Sequence, residues 1–258
     1  MKSKGKCLFC SKTFTKAGIN RHLTAHLKEK EAGDASEKSF LVMVEPAKKM
    51  DDLPYFLSLW IDGETEFDRF DRFLRKIWLE CCHHRSDFRK KQKPLSQRPE
   101  MDTLYNLTLD DFVEMNRAIR SLAEYHAEGE ISIYNKAKCV FRKDMVLDYN
   151  YDFGSTTSLT IKVVDEYPFK ADTEIVLLSR NEPLEIMCRE CKIVPATKLC
   201  VNHWNFSVFC DDCAKKHAET CSAYTEYTSR QLVNSPRTGE CVYNGGSIDK
   251  ERDGVYQL

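Results

Sequence analysis

Cysteine and histidine occur in short clusters along this chain, and their distribution constrains the fold more than any other feature. The 258 residues include 12 cysteines and 7 histidines, and only His126 among the histidines lies away from a cysteine cluster. The lysine-rich N-terminus predicts no signal peptide, and no run of residues is apolar enough to cross a membrane. We therefore expect a cytoplasmic, reducing environment, in which spaced cysteine pairs bind metal rather than form disulfides.

The first cluster lies within residues 1–28. Cys7-x2-Cys10 is followed, after eleven residues, by His22-x3-His26. Two thiolates and two imidazoles are a ligand set that tetrahedral zinc accepts, with the cysteines on a tight turn and the histidines on one helix face. Zinc contributes ~10–16 kcal/mol in finger peptides, whereas Gly18 costs a helix only about 1 kcal/mol relative to Ala. The sequence therefore predicts a zinc site here.

This cluster resembles the C2H2-type zinc finger, with Phe14 and Ile19 at the apolar packing positions and a loop one residue shorter than usual. The resemblance places Thr15, Gly18 and Arg21 at the positions that face bases, and of these only Arg21 could pair with guanine in two hydrogen bonds. Residues 1–30 carry eight Lys or Arg and one Glu, which favours contact with a polyanion. Two interpretations stay open: a structural or protein-docking module, or a nucleic-acid contact made mostly to phosphate by basic residues that include Lys12, Lys16 and Arg21.

The second cluster has eight candidate ligands in four pairs: Cys188, Cys191, Cys200, His203, Cys210, Cys213, His217 and Cys221. The spacing of Cys188/Cys191 and Cys210/Cys213 alone is typical of a structural zinc site. The whole run resembles the MYND finger, in which alternate ligand pairs share a metal, although His203 stands where that family usually has Cys. The resemblance implies one zinc on Cys188, Cys191, Cys210 and Cys213, and a second zinc on Cys200, His203, His217 and Cys221. With every position filled by protein, these sites should be structural.

Between the clusters the sequence predicts an α+β core with a small, mostly antiparallel sheet and two main helices. Strands are expected at FLVMV from Phe40, at YFLSLWI, and at IVLLS from Ile175. Alternating apolar residues on both sides of Gly154 predict a β-hairpin from residue 146 to 163.

Two capping boxes predict the helices. Thr65 with Asp68 opens a helix that should end near the CCHH sequence at 81–84, and Thr108 with Asp111 opens the second. Residues 85–106 are polar and basic, and we expect a loop there. The resulting organisation is a finger at 1–28, a linker at 29–38, a core at 39–184, a cluster module at 185–225 and a tail at 226–258.

Signs of catalysis are weak. Cys81 and His84 could share a helix face as a third metal site or a thiol–imidazole pair, although a role in ending the helix is favoured. Residues 152–154 read DFG, but the other kinase motifs, the nucleophile elbow and the nucleotide-binding loops are missing. We expect no enzyme and no small-molecule substrate, and keep an enzyme built around Tyr151, Asp152 and the Cys81–His84 group as a third hypothesis.

The segments DRFLRKIWLECCHH and LDYNYDFGSTTSLTIKVV resemble the bacterial plasmid open-reading-frame-three-like family, which includes a passenger protein of insertion elements. With the finger, the second cluster and NSPRTGECVYNGG, the chain resembles a zinc-binding subgroup of that family, except for His83, where Gly is expected, and His203, where Cys is expected. The resemblance implies an α+β core, a bacterial cytoplasm and mobile-element neighbours, but no assigned activity. We therefore expect a non-enzymatic adaptor that docks protein or nucleic acid, or alternatively a nucleic-acid-binding accessory of a mobile element.

Overall fold

The computed structural model describes residues 3–30, 37–47, 53–91, 129–202 and 207–249. Its strands are β1 (Lys4–Lys6), β2 (Thr13–Thr15), β3 (Ser39–Pro46), β4 (Leu57–Asp62), β5 (Ser86–Lys90), β6 (Glu130–Ile131), β7 (Val146–Tyr151), β8 (Thr157–Tyr167), β9 (Ile175–Arg180), β10 (Lys198–Cys200), β11 (Ser207–Phe209) and β12 (Ser229–Gln231). Its helices are α1 (Lys16–Lys28), α2 (Phe67–Leu74), a π-helical turn (Arg75–Leu79), α3 (Ala137–Val140) and α4 (Asp211–Thr220).

A seven-stranded sheet in the order β6-β5-β7-β8-β3-β4-β9 forms the centre of the fold, and every pair in it is antiparallel. The predicted α+β class with mostly antiparallel sheet is confirmed, but the expectation of a small sheet is wrong. The predicted hairpin is β7–β8, with Tyr149 opposite Leu159 and Tyr151 opposite Thr157. Its turn is closed by the Gly154 N–H, which donates to Asp152 Oδ1 at 3.0 Å.

Both faces of the sheet are covered by helices. The α2 face buries Phe40, Val42 and Val44 of β3, whereas the alternate residue Leu41 packs with Trp60 of β4 under α1. A strand buried on both faces has apolar residues at successive positions rather than at every second one. This explains the unbroken apolar runs in FLVMV and YFLSLWI.

The first predicted helix is confirmed, but its start differs from the prediction. The residue before α2 is Glu66, and no side chain caps the helix. The Thr65 hydroxyl instead donates to the Glu174 carbonyl oxygen at 2.7 Å. The helix ends in the π-helical turn at Leu79, and its apolar stripe lies in the core. The second predicted helix, at Thr108–Asp111, lies outside the described residues.

The expectation of a loop from residue 85 is wrong at its start, because residues 86–90 form β5 between β6 and β7. Phe88 of β5 is buried and stacks on Phe70, with ring centroids 5.6 Å apart. One buried aromatic in a basic stretch is a weak strand signal, and pairing with the edge of β7 supplies the rest. The loop from residue 92 onward lies outside the described residues.

The C-terminal part forms a separate three-stranded sheet in the order β11-β10-β12, with α4 beside it. The chain then returns to the core, where it reaches the carbonyl oxygens at the end of the π-helical turn. The Ser235 hydroxyl donates to the Trp78 carbonyl oxygen at 2.7 Å, and the Ser247 N–H donates to the Lys76 carbonyl oxygen at 2.6 Å. Within the described ranges, no helix is long and apolar enough to cross a bilayer.

Candidate metal centres

Eleven of the twelve cysteines, all except Cys139, fall into four groups that could each hold a metal ion. Within each group the candidate ligand atoms all lie within 4.8 Å of one another. All twelve cysteines lie in the described part of the chain, and each is a free thiol. In a tetrahedral zinc site, bonds of about 2.3 Å to sulfur and about 2.0–2.1 Å to nitrogen place two sulfurs about 3.8 Å apart and two nitrogens about 3.3 Å apart. Ligand atoms at separations near these values could therefore share one zinc ion.

The N-terminal group brings together all four predicted finger ligands: Cys7, Cys10, His22 and His26. Cys10 Sγ lies 3.2 Å from His22 Nε2, which lies 3.1 Å from His26 Nε2. The predicted packing residues support this group, because Phe14 stacks on the His22 ring with centroids 3.9 Å apart and Ile19 is fully buried. The separations fit one tetrahedral ion.

The cysteine turns of the first and second clusters share a backbone conformation. Ser11 follows Cys10 with a φ of 59°, and Lys192 follows Cys191 with a φ of 57°. Each of these residues donates its N–H to the carbonyl oxygen of the first cysteine of its pair, Ser11 at 2.9 Å and Lys192 at 3.0 Å. A left-handed residue is strained unless its surroundings hold it there. Because two segments that are distant in the sequence form the same turn, we infer that the turn serves to bring the two thiols of each pair together.

The finger lies against the sheet rather than apart from it. Leu23 and Leu27 of α1 are fully buried in the cluster that contains Trp60. The Leu8 N–H donates to the Leu178 carbonyl oxygen of β9 at 2.9 Å. A β-carbon on Gly5 would lie 2.6 Å from the Arg180 carbonyl oxygen, so this close approach requires glycine.

The residues predicted to contact nucleic acid are placed unequally. Lys12 and Arg21 are exposed, as is Thr15. Lys16 forms an ion pair with Glu45 of β3, with Nζ 2.5 Å from Oε2. Two of the three basic candidates therefore remain open to a polyanion, and the third is paired with the sheet.

The C-terminal cluster divides into two groups along the alternating pattern that its MYND resemblance implies. One group holds Cys188, Cys191, Cys210 and Cys213, with the Cys191 and Cys210 sulfurs 4.0 Å apart. Cys210 directly precedes α4 and Cys213 lies in its first turn, opposite the Cys188 turn. Burial alone would raise the pKa of the Cys188 thiol, but backbone N–H donors, including that of Cys210, outweigh it and lower the pKa to about 6. The surroundings of Cys188 thus favour the thiolate that binds metal.

The other group holds Cys200, His217 and Cys221. The predicted fourth ligand, His203, lies outside the described residues. Cys200 is the last residue of β10. His217 lies in the last turn of α4, and Cys221 is the residue that directly follows α4. The His217 ring stacks on Phe209 with centroids 4.4 Å apart, which fixes the ring against the small sheet. Three ligands from two elements converge here.

The fourth group lies at the surface of the core domain and holds Cys81, Cys82, His84 and Cys241, of which Cys82 is exposed and the others are partly buried. The first three follow the π-helical turn, and Cys241 comes from the C-terminal segment. His83 has a φ of 60°, so the position where the plasmid-family resemblance expects glycine has the conformation that glycine adopts without cost. Sequence reasoning considered Cys81 and His84 but missed Cys241. The available signal was that Cys241 and Cys139 are the two cysteines outside the recognised clusters.

A buried ion pair adjoins this core group. Arg237 is fully buried, and its Nη2 lies 2.6 Å from Asp152 Oδ2 and 3.5 Å from Cys81 Sγ. Its guanidinium lies over the Tyr151 ring, 4.8 Å from the centroid. Burial alone would raise the pKa of Asp152, but the hydrogen bond from Arg237 and those from backbone N–H groups lower it. The same Oδ2 lies 3.4 Å from His84 Nε2.

The DFG sequence is explained by this arrangement, because Asp152 pairs with Arg237 and its other oxygen closes the hairpin turn. Tyr151, Asp152 and the Cys81–His84 group, the residues of the enzyme hypothesis, do lie together. The Tyr151 hydroxyl donates to Glu80 Oε1 at 3.2 Å, and its ring is buried. The group therefore consists of a candidate metal site bordered by a neutralised ion pair.

Comparisons with known proteins add little. No family model matches the chain, and no curated protein matches it. A crystal structure of a protein of unknown function from Methanosarcina mazei Go1 is similar over 54% of this chain, with 13% identity and a TM-score of 0.34. The chain covers 65% of that protein. A similarity this distant carries no argument, and the plasmid-family resemblance stays a prediction.

Proposed function

We propose that this protein is a zinc-binding, non-enzymatic adaptor whose metal modules are structural and hold surfaces for a protein partner. The observation that carries the proposal is the convergence of the finger ligands and the C-terminal ligands into closed groups. Two of these groups have four protein ligands, which leaves no position for a reacting water. With His203, the remaining C-terminal group would be closed as well.

The choice of zinc follows from the donors. Thiolate and imidazole donors in tetrahedral sets suit zinc, whereas magnesium and calcium prefer oxygen. The groups also hold together parts of the chain that have little apolar core of their own. The described residues of the C-terminal module bury two small clusters, one of them built largely from its cysteines. Small modules of this kind depend on metal for their folding.

The proposed docking surface lies beside the Cys188 turn. Ile193 and Val194 are 78% and 43% exposed, and neighbouring Met187 is 44% exposed. Grouped apolar side chains on a surface are costly in water and are typical of protein contacts. A protein partner is therefore favoured over a small-molecule substrate.

Two measurements test the proposal. Elemental analysis of the purified protein should give three or more zinc ions per chain. The same zinc-loaded protein should show no catalytic turnover. Cross-linking of the protein in cell extract should then capture a partner protein, and the Ile193→Asp variant should no longer capture it. Tyr134→Asp is the matched control, because Tyr134 is 76% exposed but lies in the core domain. Absence of zinc, or a partner set that both variants retain, would overturn the proposal.

A further inference from the structure

We propose that Cys81, Cys82, His84 and Cys241 bind a further zinc ion that fastens the C-terminal segment to the core. This site goes beyond the finger and the C-terminal cluster, and it rests on the proposed function only in taking zinc as the metal. The expectation that Cys81 and His84 merely end a helix does not account for Cys241, which arrives from a distant part of the chain.

Three of the separations between the four ligands are close to the edges of a zinc tetrahedron, and a fourth is shorter. The Cys82 sulfur lies 3.7 Å from that of Cys81 and 3.5 Å from that of Cys241. His84 Nε2 lies 2.9 Å from Cys82 Sγ and 3.6 Å from Cys241 Sγ. Sulfurs about 3.8 Å apart are what a zinc ion with bonds of about 2.3 Å requires. A disulfide requires sulfurs about 2.05 Å apart, and it would leave His84 without a role.

The surrounding charge suits a site with three thiolates. Zinc with three thiolates and a neutral imidazole carries one net negative charge, and Asp152 adds another beside it. Arg237 supplies a positive charge that offsets one of these two negative charges, since its Nη2 contacts both Cys81 Sγ and Asp152 Oδ2. A charged group buried beside a metal site stabilises it when it offsets the charge of the ligands. The buried arginine therefore has a purpose that the hairpin turn alone would not require.

The site has a mechanical consequence. Cys241 lies between the two places where the C-terminal segment contacts the π-helical turn, at Ser235 and at Ser247. The same segment begins at β12, which is paired with β10 of the zinc-cluster module. A metal bond to Cys241 would therefore fix the module relative to the core sheet.

Metal content of single variants of the full chain tests this proposal. The unmodified protein, purified with reductant and zinc, should hold four zinc ions, and Cys241→Ser and His84→Ala should each hold three. Cys139→Ser is the matched control, because Cys139 is exposed and outside every group; it should keep four. His84→Cys restores a fourth ligand and should also keep four, which separates loss of a ligand from loss of folding.

A second measurement detects the thiolate ligands directly rather than counting metal ions. Cobalt added to metal-free protein should give thiolate charge-transfer absorption, and Cys241→Ser should lose about a quarter of it. Three zinc ions in both the unmodified chain and Cys241→Ser would overturn the core site while leaving the proposed function intact. A Cys82–Cys241 disulfide in protein purified under reductant, detected by mass, would overturn it as well. Absence of zinc from every variant would instead defeat the proposed function.

Discussion

The ion pair between Arg237 and Asp152 is the interaction on which the junction of core and C-terminal segment should depend most strongly. Arg237 is fully buried, and Asp152 is 6% exposed. Arg237 also donates to the Ser155 carbonyl oxygen at 3.0 Å and to the Thr157 hydroxyl at 2.9 Å. Arg237→Met keeps much of the apolar volume but removes every one of these donors. Asp152 is then left as a buried charge without its partner.

Removing one partner from a buried ion pair costs about 3–5 kcal/mol, because the remaining charge keeps its desolvation penalty. For a chain of this size that loss corresponds to a decrease in melting temperature of roughly 10 °C. Adding Asp152→Asn removes the stranded charge, so the double variant should be more stable than Arg237→Met alone. Arg72→Met is the control: Arg72 is 60% exposed in its pair with Asp68, and its loss should cost less than about 1 kcal/mol.

Urea unfolding of zinc-replete protein, followed by tryptophan fluorescence, gives the comparison, since Trp60 and Trp78 are both fully buried. Arg237→Met should lower the unfolding midpoint far more than Arg72→Met does. The reasoning fails if Arg237→Met unfolds within about 1 kcal/mol of the unmodified protein. It fails equally if the double variant is less stable than the single one, because the cost would then not come from a stranded carboxylate.

Three further predictions concern other parts of the fold. Gly246→Ala should destabilise the folded protein by about 1–3 kcal/mol in thermal unfolding. The added β-carbon would lie 2.4 Å and 2.7 Å from two backbone carbonyl oxygens of the π-helical turn. Gly18→Ala is the control and should not destabilise the protein, because the nearest atom to its β-carbon is 3.4 Å away. Leu27→Ala should lower the free energy of unfolding by ~2–5 kcal/mol and speed amide hydrogen exchange throughout α1. Unchanged exchange would show that the stability of the finger does not depend on the sheet. If the exposed Lys12 and Arg21 contact nucleic acid, the affinity for nucleic acid in a gel-shift assay should decrease as the salt concentration rises. The affinity should decrease further in the Lys12→Glu and Arg21→Glu variants. No binding at low salt would exclude this role.

The parts of the fold that the sequence predicts are those encoded by local patterns. Alternating residues in β7 and β8 specify a hairpin because one face of each strand is buried, and the Phe67–Trp78 stripe specifies a helix in the same way. Metal ligands at fixed short spacings are equally readable. The large sheet was not predicted, because β5 contains one buried aromatic and takes its place by pairing with β7.

Features that depend on distant contacts were missed for a related reason. Cys241 has no cysteine or histidine near it in the sequence, and its partners are 157 and 159 residues away. The packing of α1 on the sheet depends on residues from β4 as well as from α1. The unbroken apolar run YFLSLWI was a usable signal for this packing, because a strand with one exposed face would alternate.

The position of β3 in the middle of the sheet has a consequence for the synthesis of the protein. β3 pairs with β4, which follows it closely, and with β8, whose Tyr167 lies opposite Ser39. At roughly 5–20 residues per second, the end of β8 leaves the ribosome roughly 6–24 seconds after the end of β3. Until then one edge of an apolar strand is unpaired, and early zinc capture by the finger would let α1 cover one face of that nascent hairpin. Availability of zinc during translation should therefore influence how much of this chain folds and how much aggregates.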